Sequence, residues 1–416
     1  MAIACGVDFG TSNSTVGWVR PGQPSLLQLE DDKTTLPSVV FFNADEDVVR
    51  YGRAALADYL EGYDGRLMRS LKSLLGTSLM EGQTEVGGRA LPFRQLLTQF
   101  IGELKRRAEQ HAGREFSSVV MGRPVYFVDE DPDADRLAED TLAGIARAVG
   151  FKEIAFQYEP IAAAFDYESR IEREELVLIA DIGGGTSDFS LLRLGPGRAG
   201  RPDRRDDILA TGGVHLGGTD FDKYLSLASV MPLLGYGSSL LSGAAVPSSY
   251  YFNLATWHTI NLAYTRKSSA QLDDLVRDAA EPDKLQRLRR LVEDRAGHWL
   301  AMQVEEAKIG LSGAPEVVLG LDRLAPAERL LVQRATFTQA IQGLVDGIGA
   351  AVQRLLDEAG VAPEQVDTVF FTGGSSGVAL LRERIAAIVP DARRVEGDLF
   401  GSIGAGLAID AARKFS

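Results

Sequence analysis

The sequence predicts an α/β protein of two lobes, each built on a duplicated mixed sheet with flanking helices. Three observations carry that expectation. At 416 residues the chain is long for one compact domain, since single hydrophobic cores stop growing beyond about 250–300 residues. A composition of 45% hydrophobic and 25% charged residues is enough to bury a real core. Above all, a strand, an Asp-x-Gly turn and a returning strand occur at residues 4–19 and again at 177–194. Two similar halves facing a cleft would put both turns on the same ligand.

Residues 3–9 and 14–19 are short β-rich runs around the tight segment Gly10–Asn13, which reads as a hairpin. Ser25–Leu29 reads as a third β-rich run after the turn at Pro21-Gly22, and Ser38–Phe42 as another strand. A helix over about 95–112 gathers Leu96, Leu97, Phe100, Ile101, Leu104 and Ala108 on one face. Ser118–Met121 reads as a strand that ends in a loop at Arg123-Pro124. The next helix, about 135–149, stacks Leu137, Thr141, Leu142, Ile145 and Val149, and Gly150 ends it. IAFQY is strand-like, and Glu159-Pro160 starts the helix IAAAFDYES, with proline in its first turn.

From Leu176 the opening pattern returns as VLIAD, the turn Gly183–Gly185, and SDFSLLRL. The loop before ILATG holds five arginines within 193–205 and reads as solvated, with three nearby aspartates offsetting them. Beyond Asp222 the chain reads as mainly helical up to a helix at about 296–312. A long helix near 338–359, the strand Thr368–Thr372, Gly373-Gly374, a helix from about 377 and a final helix after Gly401 complete it.

The net charge of −14 argues against a general nucleic-acid or anionic-membrane binder. A phosphate ligand then has to be held by local devices: loop amides, a metal and one or two lysines. Cys5 is the single cysteine, so no intramolecular disulfide framework exists, and it reads as a small buried side chain. The N-terminus has no basic region and Asp8 interrupts its apolar start, so no signal peptide is read and the expected compartment is the cytoplasm. The uncharged stretch Tyr224–Thr265 is broken by Pro232 and Pro247 and reads as a folded, mostly buried subdomain rather than a span. A partner surface is the alternative there.

The chemistry lies in the two turns. CGVDFGTSNSTVGWV contains Asp8, Gly10, Thr11, Ser12 and Asn13; LIADIGGGTSDFSLL contains Asp181, Gly183, Gly184, Gly185, Thr186 and Asp188. Glycines let backbone N–H groups converge on phosphate oxygens, and the adjacent hydroxyls add donors. An aspartate at a strand end can hold Mg²⁺ through its water shell. Either turn alone is a weak signal, because such turns are common in hairpins; the matched pair is strong. No Gly-Lys-Ser/Thr follows the glycines, so this is not a Walker A loop.

At these residues the chain resembles the actin, hexokinase and DnaK-like chaperone superfamily. Within it, the chain is most similar to the DnaK-like (seventy-kilodalton heat-shock) chaperones, especially the short YegD-type members. The resemblance covers essentially the whole chain and includes YGRAAL, SLKSLLG, GRPVYF, FQYEPIAAAFDYE, LGGTDFD, EEAKIGLS, FFTGGSS and DLFGSIGAGLAI. It implies an actin-like ATPase fold with a nucleotide cleft between lobes 1–172 and 173–400. It also implies a helical insert at about 222–312, an adenosine motif at 369–381, and a closing helix 401–416 that packs back on the first lobe.

The same resemblance implies the site. Asp8 and Asp181 match the pair that holds the Mg²⁺ water shell, and Gly10, Thr11, Ser12, Asn13 and Gly183–Gly185 the phosphate clamps. Lys72 matches the catalytic lysine that orients the attacking water. Glu159 matches a carboxylate that positions water and couples the site to lobe closure. Thr186 matches a hydroxyl at the γ-phosphate, and Asp188 a monovalent-cation ligand, with K⁺ as the candidate ion. On the nucleoside side the matches are Gly218, Glu305, Lys308, Ser312, Gly373, Gly374, Ser375 and Asp398. From the residues alone, Lys72 also reads as a surface lysine and Glu159 as a helix-capping acid. The chain departs from the family at Ile309 and Gly377, where the family places arginines that sandwich the adenine. Their loss implies weaker binding, about 0.5–2 kcal/mol per cation–π contact, and leaves base preference open.

The expected function is an ATP-binding, slow Mg-dependent ATPase switch, with ATP/ADP and Mg²⁺ as cofactors. The expected partner is a protein client or co-chaperone, with neither nucleic acid nor membrane, and the chain is expected to be a monomer. The chain stops at Ser416 without the acidic-leucine linker or β-sandwich client domain of full chaperones, so peptide capture is not expected of it. The alternatives are a degenerate nucleotide-binding scaffold or filament protein, and a small-molecule kinase. A kinase needs a hydroxyl-bearing acceptor and usually an aspartate base; no acceptor-binding motif stands out, and Lys72 and the YEP segment fit the chaperone-like branch.

Overall fold

Two sheets of the same design arise from the repeated strand pattern. The structure is a computed structural model that describes residues 3–23, 25–128, 131–201, 204–398 and 401–415. In the first sheet β1 (Ala4–Phe9) pairs antiparallel with β2 (Asn13–Gly17), which pairs antiparallel with β3 (Thr35–Pro37). On its other side β1 runs parallel to β4 (Ser118–Arg123), and β4 parallel to β5 (Glu153–Tyr158), giving the order β5-β4-β1-β2-β3. The second sheet repeats this with β6 (Glu175–Ile182), β7 (Ser187–Leu194), β8 (Ile208–Val214), β9 (Thr368–Thr372) and β10 (Arg393–Glu396). Its order is β8-β7-β6-β9-β10, antiparallel on the β7 side and parallel on the β9 side. The duplication therefore extends from one hairpin to five strands. Parallel neighbours need long crossovers, which is why the matching hairpins lie so far from their parallel partners in sequence.

Helices α1 (Pro132–Ala148), α2 (Glu159–Glu168) and α3 (Ser402–Lys414) pack against these strands. Helices α2 and α3 each come after the last strand of a sheet, and they pack on each other. A Cβ at Gly406 would lie 1.8 Å from the Ala162 carbonyl oxygen, so only glycine permits that approach. Helix α3 also lies against β1 and β2, where Leu407 and Ala411 join Val120 and Ala162 in one buried cluster. The helix Phe93–Ala112 buries the six residues expected of it against the first sheet, with Phe9 and Phe100 ring centroids 5.7 Å apart.

By internal packing the chain divides into two compact units. One comprises Met1–Val214, Ala351–Ser376 and Ile388–Ser416 and holds both five-stranded sheets; the other comprises His215–Ala350 and Gly377–Ala387. Among the described residues the second unit is mainly helical, with isolated bridges from Ser239 to Ala245 and from Leu240 to Ala279 and the hairpin Glu316–Gly320 with Arg329–Gln333, which sequence reasoning missed between two helices. The stretch Tyr224–Thr265 buries Leu225, Val230, Met231, Leu234, Tyr251, Leu254 and Ile260, while Leu241 and Leu262 are exposed.

Three local readings are corrected. Ser25–Leu29 forms no strand beyond one bridge from Leu26 to Gly17, flanked by the Trp18 N–H to Ser25 carbonyl and Leu27 N–H to Val16 carbonyl bonds, while Thr35–Pro37 pairs with Asn13–Thr15. Leu137 is exposed; the buried stripe of α1 runs through Ala138, Thr141, Leu142 and Ile145, and Leu137 sits one residue off it. The arginine-rich loop is not simply solvated. Arg204 is buried and forks onto both Glu168 carboxylate oxygens at 2.7 and 2.8 Å, and it also pairs with Asp207. The loop thereby clamps the C-terminus of α2. Asp203, and Leu399 and Phe400 of the DLFGSIGAGLAI motif, lie outside the described residues.

Candidate functional site

The first turn, Gly10–Asn13, is pinned from behind by a residue that sequence reasoning did not single out. Ser38 is fully buried; its Oγ donates to the Gly10 carbonyl at 2.7 Å and its N–H donates to the Ser12 carbonyl at 2.9 Å. Ser14 and Ser38 hydroxyls lie 2.9 Å apart, closing the support. In the second turn the Gly183 N–H donates to the Thr186 carbonyl at 2.9 Å, and Thr186 Oγ1 donates to Asp188 Oδ2 at 2.7 Å. The two turns meet: a Cβ at Gly184 would lie 2.3 Å from Ser12 Oγ. Both sets of expected phosphate donors thus occupy one place in one unit.

Beside them sits a charged cluster. Lys72 lies in the single 3-10 turn Leu71–Leu74, and Glu159 is the first residue of α2. Lys72 Nζ donates to Glu159 Oε1 at 2.5 Å, each side chain only 11% exposed. Gly122, at the end of β4, lets Glu159 pack there: a Cβ would be 3.2 Å from Glu159 Cγ. Asp8 lies at the end of β1 and Asp181 at the end of β6, where Asp181 is opposite Asp188 in the hairpin register.

Burial pushes the Asp8 carboxyl up to about 7, Glu159 adds to the shift and Lys72 opposes it. Asp181 is held well above the ordinary carboxylate range, first by burial and then by Asp188, Glu159 and Asp8, against Lys72. Burial alone would lower the Lys72 pKa, yet it is raised, because Glu159, Asp8 and Asp181 together outweigh that effect. The cluster is short of positive charge.

That imbalance gives a pH prediction. The folded state keeps protons on Asp8 and Asp181 that the unfolded chain releases near pH 4, so the stability of the unliganded protein falls as pH rises from about 4 through about 7. A bound cation removes the penalty on ionisation. The thermal shift conferred by Mg-ADP over EDTA is therefore expected to be larger at about pH 8 than at about pH 5.5. Equal shifts at both would show that these carboxyls do not face the bound ion.

Among the described residues no three His, Cys, Asp or Glu side chains form a direct metal cage. Two carboxylates at strand ends fit Mg²⁺, which keeps several waters and binds through one or two carboxylates plus phosphate. Asp188 accepts from Thr186, which orients both side chains on the same turn.

The nucleoside-side residues divide between the units. In the first unit, Gly373 has φ +83°, and a Cβ there would lie 2.4 Å from Asp181 Oδ1. The Ser375 N–H donates to the Ile182 carbonyl at 2.9 Å, so Gly373-Gly374-Ser375 is fastened to the end of β6. Asp398 is exposed, with the Ser402 hydroxyl donating to its carbonyl at 2.7 Å. In the second unit, Glu305, Lys308, Ile309 and Ser312 lie on the helix Gly297–Gly313. Lys308 is buried, 2.9 Å from Asp222 Oδ2, and it donates to the Gly218 carbonyl at 3.3 Å. A Cβ at Gly377 would lie 3.7 Å from Ser312 Oγ, and Ile309 is 61% exposed. Ile309 and Gly377, the positions where the resemblance implied arginines, thus carry an apolar side chain and a bare backbone.

Sequence reasoning did not select Ser38, Asp222 or Gly122. A serine directly after Pro37, and Gly122 before Arg123-Pro124, were the available signals, but neither names a distant partner.

Comparison with known proteins identifies the family. The family model described as Hsp70 protein matches residues 4–230 and 273–411. A chaperone protein HscA homolog of Pasteurella multocida (strain Pm70) is 28% identical over 431 residues, covering 98% of this chain and 57% of that protein. HscA homologs of Shewanella sp. (strain ANA-3) and Vibrio parahaemolyticus serotype O3:K6 (strain RIMD 2210633) are each 27% identical, covering 98% of this chain and 58% of theirs. The chain thus spans less than three-fifths of the length of these relatives. No helix among the described residues is long and apolar enough to cross a membrane. With duplicated five-stranded sheets carrying matched Asp-x-Gly turns, and a family model that spans most of its length, this chain belongs to the Hsp70 family and has its actin-like ATPase fold.

Proposed function

We propose that this chain is an ATP-binding switch that hydrolyses Mg-ATP slowly and passes the difference between its nucleotide states to a protein client or co-chaperone. The observation that carries the reading is the buried Lys72–Glu159 pair beside Asp8, in the same unit as both phosphate turns. Phosphoryl transfer to water has a loose, anionic transition state, so positioning and electrostatics suffice without a strong base. On this reading the Gly10–Asn13 and Gly183–Gly185 turns hold phosphate oxygens, and Thr186 reaches the γ-phosphate. Lys72 and Glu159 orient the attacking water, with Lys72 supplying positive charge where the transition state needs it. Asp8 and Asp181 hold the water shell of Mg²⁺, which when bound neutralises phosphate charge, and Asp188 is the candidate ligand for K⁺. Gly373–Ser375, Glu305, Lys308, Ser312, Gly218 and Asp398 are proposed for the nucleoside. The lobe boundaries, a monomeric state and a cytoplasmic setting belong to the same proposal.

A nucleotide-binding scaffold without turnover is the second reading, favoured by Ile309 and Gly377 in place of base-stacking arginines. Calorimetric titration with ATP in Mg²⁺ or EDTA, followed by single-turnover hydrolysis, separates the two. Mg-dependent binding with slow release of phosphate is the expected result. Binding without release supports the scaffold, and absence of binding at millimolar nucleotide removes both.

A further inference from the structure

We propose that Arg123 is a positioning residue that sets the Glu159 carboxylate, and through it Lys72, by locking together the ends of β4 and β5. Arg123 is the last residue of β4 and lies opposite Tyr158, the last residue of β5, in the parallel register. Glu159 comes directly after Tyr158, and Gly122, next to Arg123, is the floor on which the Glu159 side chain packs. Both ends that hold Glu159 therefore pass through this arginine.

The guanidinium is only 11% exposed and is held on every side. Its Nη2 donates to Asp135 Oδ2 at 2.7 Å and to the Val125 carbonyl at 3.2 Å; its Nε donates to the Pro124 carbonyl at 3.1 Å; its Nη1 donates to Glu139. Its carbon stands 5.3 Å from the ring centroids of both Tyr158 and Phe127. Asp135 in turn accepts from the Phe127 N–H at 2.6 Å, so α1 and the loop after β4 belong to the same clamp. A planar fork with stacking faces can satisfy two carboxylates, two carbonyls and two rings together, and a lysine cannot. Displacement of α1 is then transmitted to the residue preceding Glu159, and a shift of about 1 Å in a positioning group costs up to about 100-fold in rate.

The kinetic arm of the test rests on the proposed ATPase reading; the exchange arm does not. Arg123→Met and Arg123→Lys are compared with Arg204→Met, which breaks a buried ion cluster of similar kind at the opposite end of α2. In Arg123→Met, amide hydrogen exchange over residues 158–163 is expected to accelerate about tenfold or more, because local opening becomes easier. Single-turnover hydrolysis is expected to fall about 10- to 100-fold with the ATP Kd changed less than about threefold, Arg123→Lys recovering only part of it. Should Arg123→Met not fold, Arg123→Met/Asp135→Asn/Glu139→Gln, which removes the opposing charges together, replaces it with the same expectations. Unchanged exchange over 158–163 in a folded variant overturns the proposal. So does an equal loss of hydrolysis in Arg204→Met, which would reduce the effect to general stability. If the wild-type protein hydrolyses no ATP, the ATPase reading falls while the exchange result still decides the role of Arg123.

Discussion

Lys72→Ala is expected to bind Mg-ATP and to hydrolyse it about 100- to 1,000-fold more slowly than the wild type. Removal of one preorganised charge at a transition state has effects of that size. Binding is expected to survive because the proposed phosphate donors lie on the two turns, which Ser38 and the Thr186–Asp188 bond hold independently of the lysine. The substitution also removes the positive member of a pair in which each side chain is 11% exposed. Breaking such a pair destabilises by about 3–5 kcal/mol when the remaining charge stays ionised. Here Glu159 is left buried beside the raised carboxyls of Asp8 and Asp181 with no positive partner of its own. The unliganded variant should therefore melt lower than the wild type. Lys72→Ala hydrolysing within about threefold of wild type would leave the ATPase without its central residue.

Gly373→Ala is expected to lose both stability and nucleotide, whereas Gly185→Ala loses only nucleotide. At Gly373 the backbone sits at φ +83°, where a non-glycine residue costs about 1–2 kcal/mol. The added methyl would also stand 2.4 Å from Asp181 Oδ1 and 2.5 Å from the Ile182 carbonyl, overpacking worth about 1–3 kcal/mol more. Relief requires Asp181 to swing away or the turn after β9 to lift, and either move disturbs the proposed Mg²⁺ position. A Cβ at Gly185 meets nothing within 4 Å, so the folded chain accepts it, and the methyl intrudes only where phosphate is expected. Thermal unfolding and ATP titration on the two variants check the contrast. If Gly185→Ala binds ATP as the wild type does, the second turn is not the phosphate clamp.

The fold was legible mainly through one repeated device. Asp8-x-Gly10 and Asp181-x-Gly183 are local, and each needs only its own strand, turn and strand to be recognised. The helix Phe93–Ala112 was legible for a similar reason, since its buried face is written at helical spacing. Reading failed where the outcome depended on competition with distant chain. Ser25–Leu29 has strand-like residues but keeps only one bridge to the end of β2, whose ladder with Thr35–Pro37 covers Asn13–Thr15. Leu137 is apolar, but the stripe that α1 buries excludes it. Arg204 sits in a run of charge typical of a solvated loop, yet Glu168, 36 positions earlier, draws it inside.

The sequence by itself determined the two Asp-x-Gly turns, their hydroxyls, and the presence of one lysine and one glutamate in segments resembling those of Hsp70 proteins. What only the tertiary structure decided is which of these side chains meet. Lys72 and Glu159 are 87 positions apart and hydrogen-bond at 2.5 Å, and Ser12 and Gly184 meet across the duplicated halves. The physical reason is that turn geometry is a property of a few adjacent residues, whereas charge pairing depends on burial. Lys72 reads as a surface residue until α2 and the carboxylates of both turns close around it.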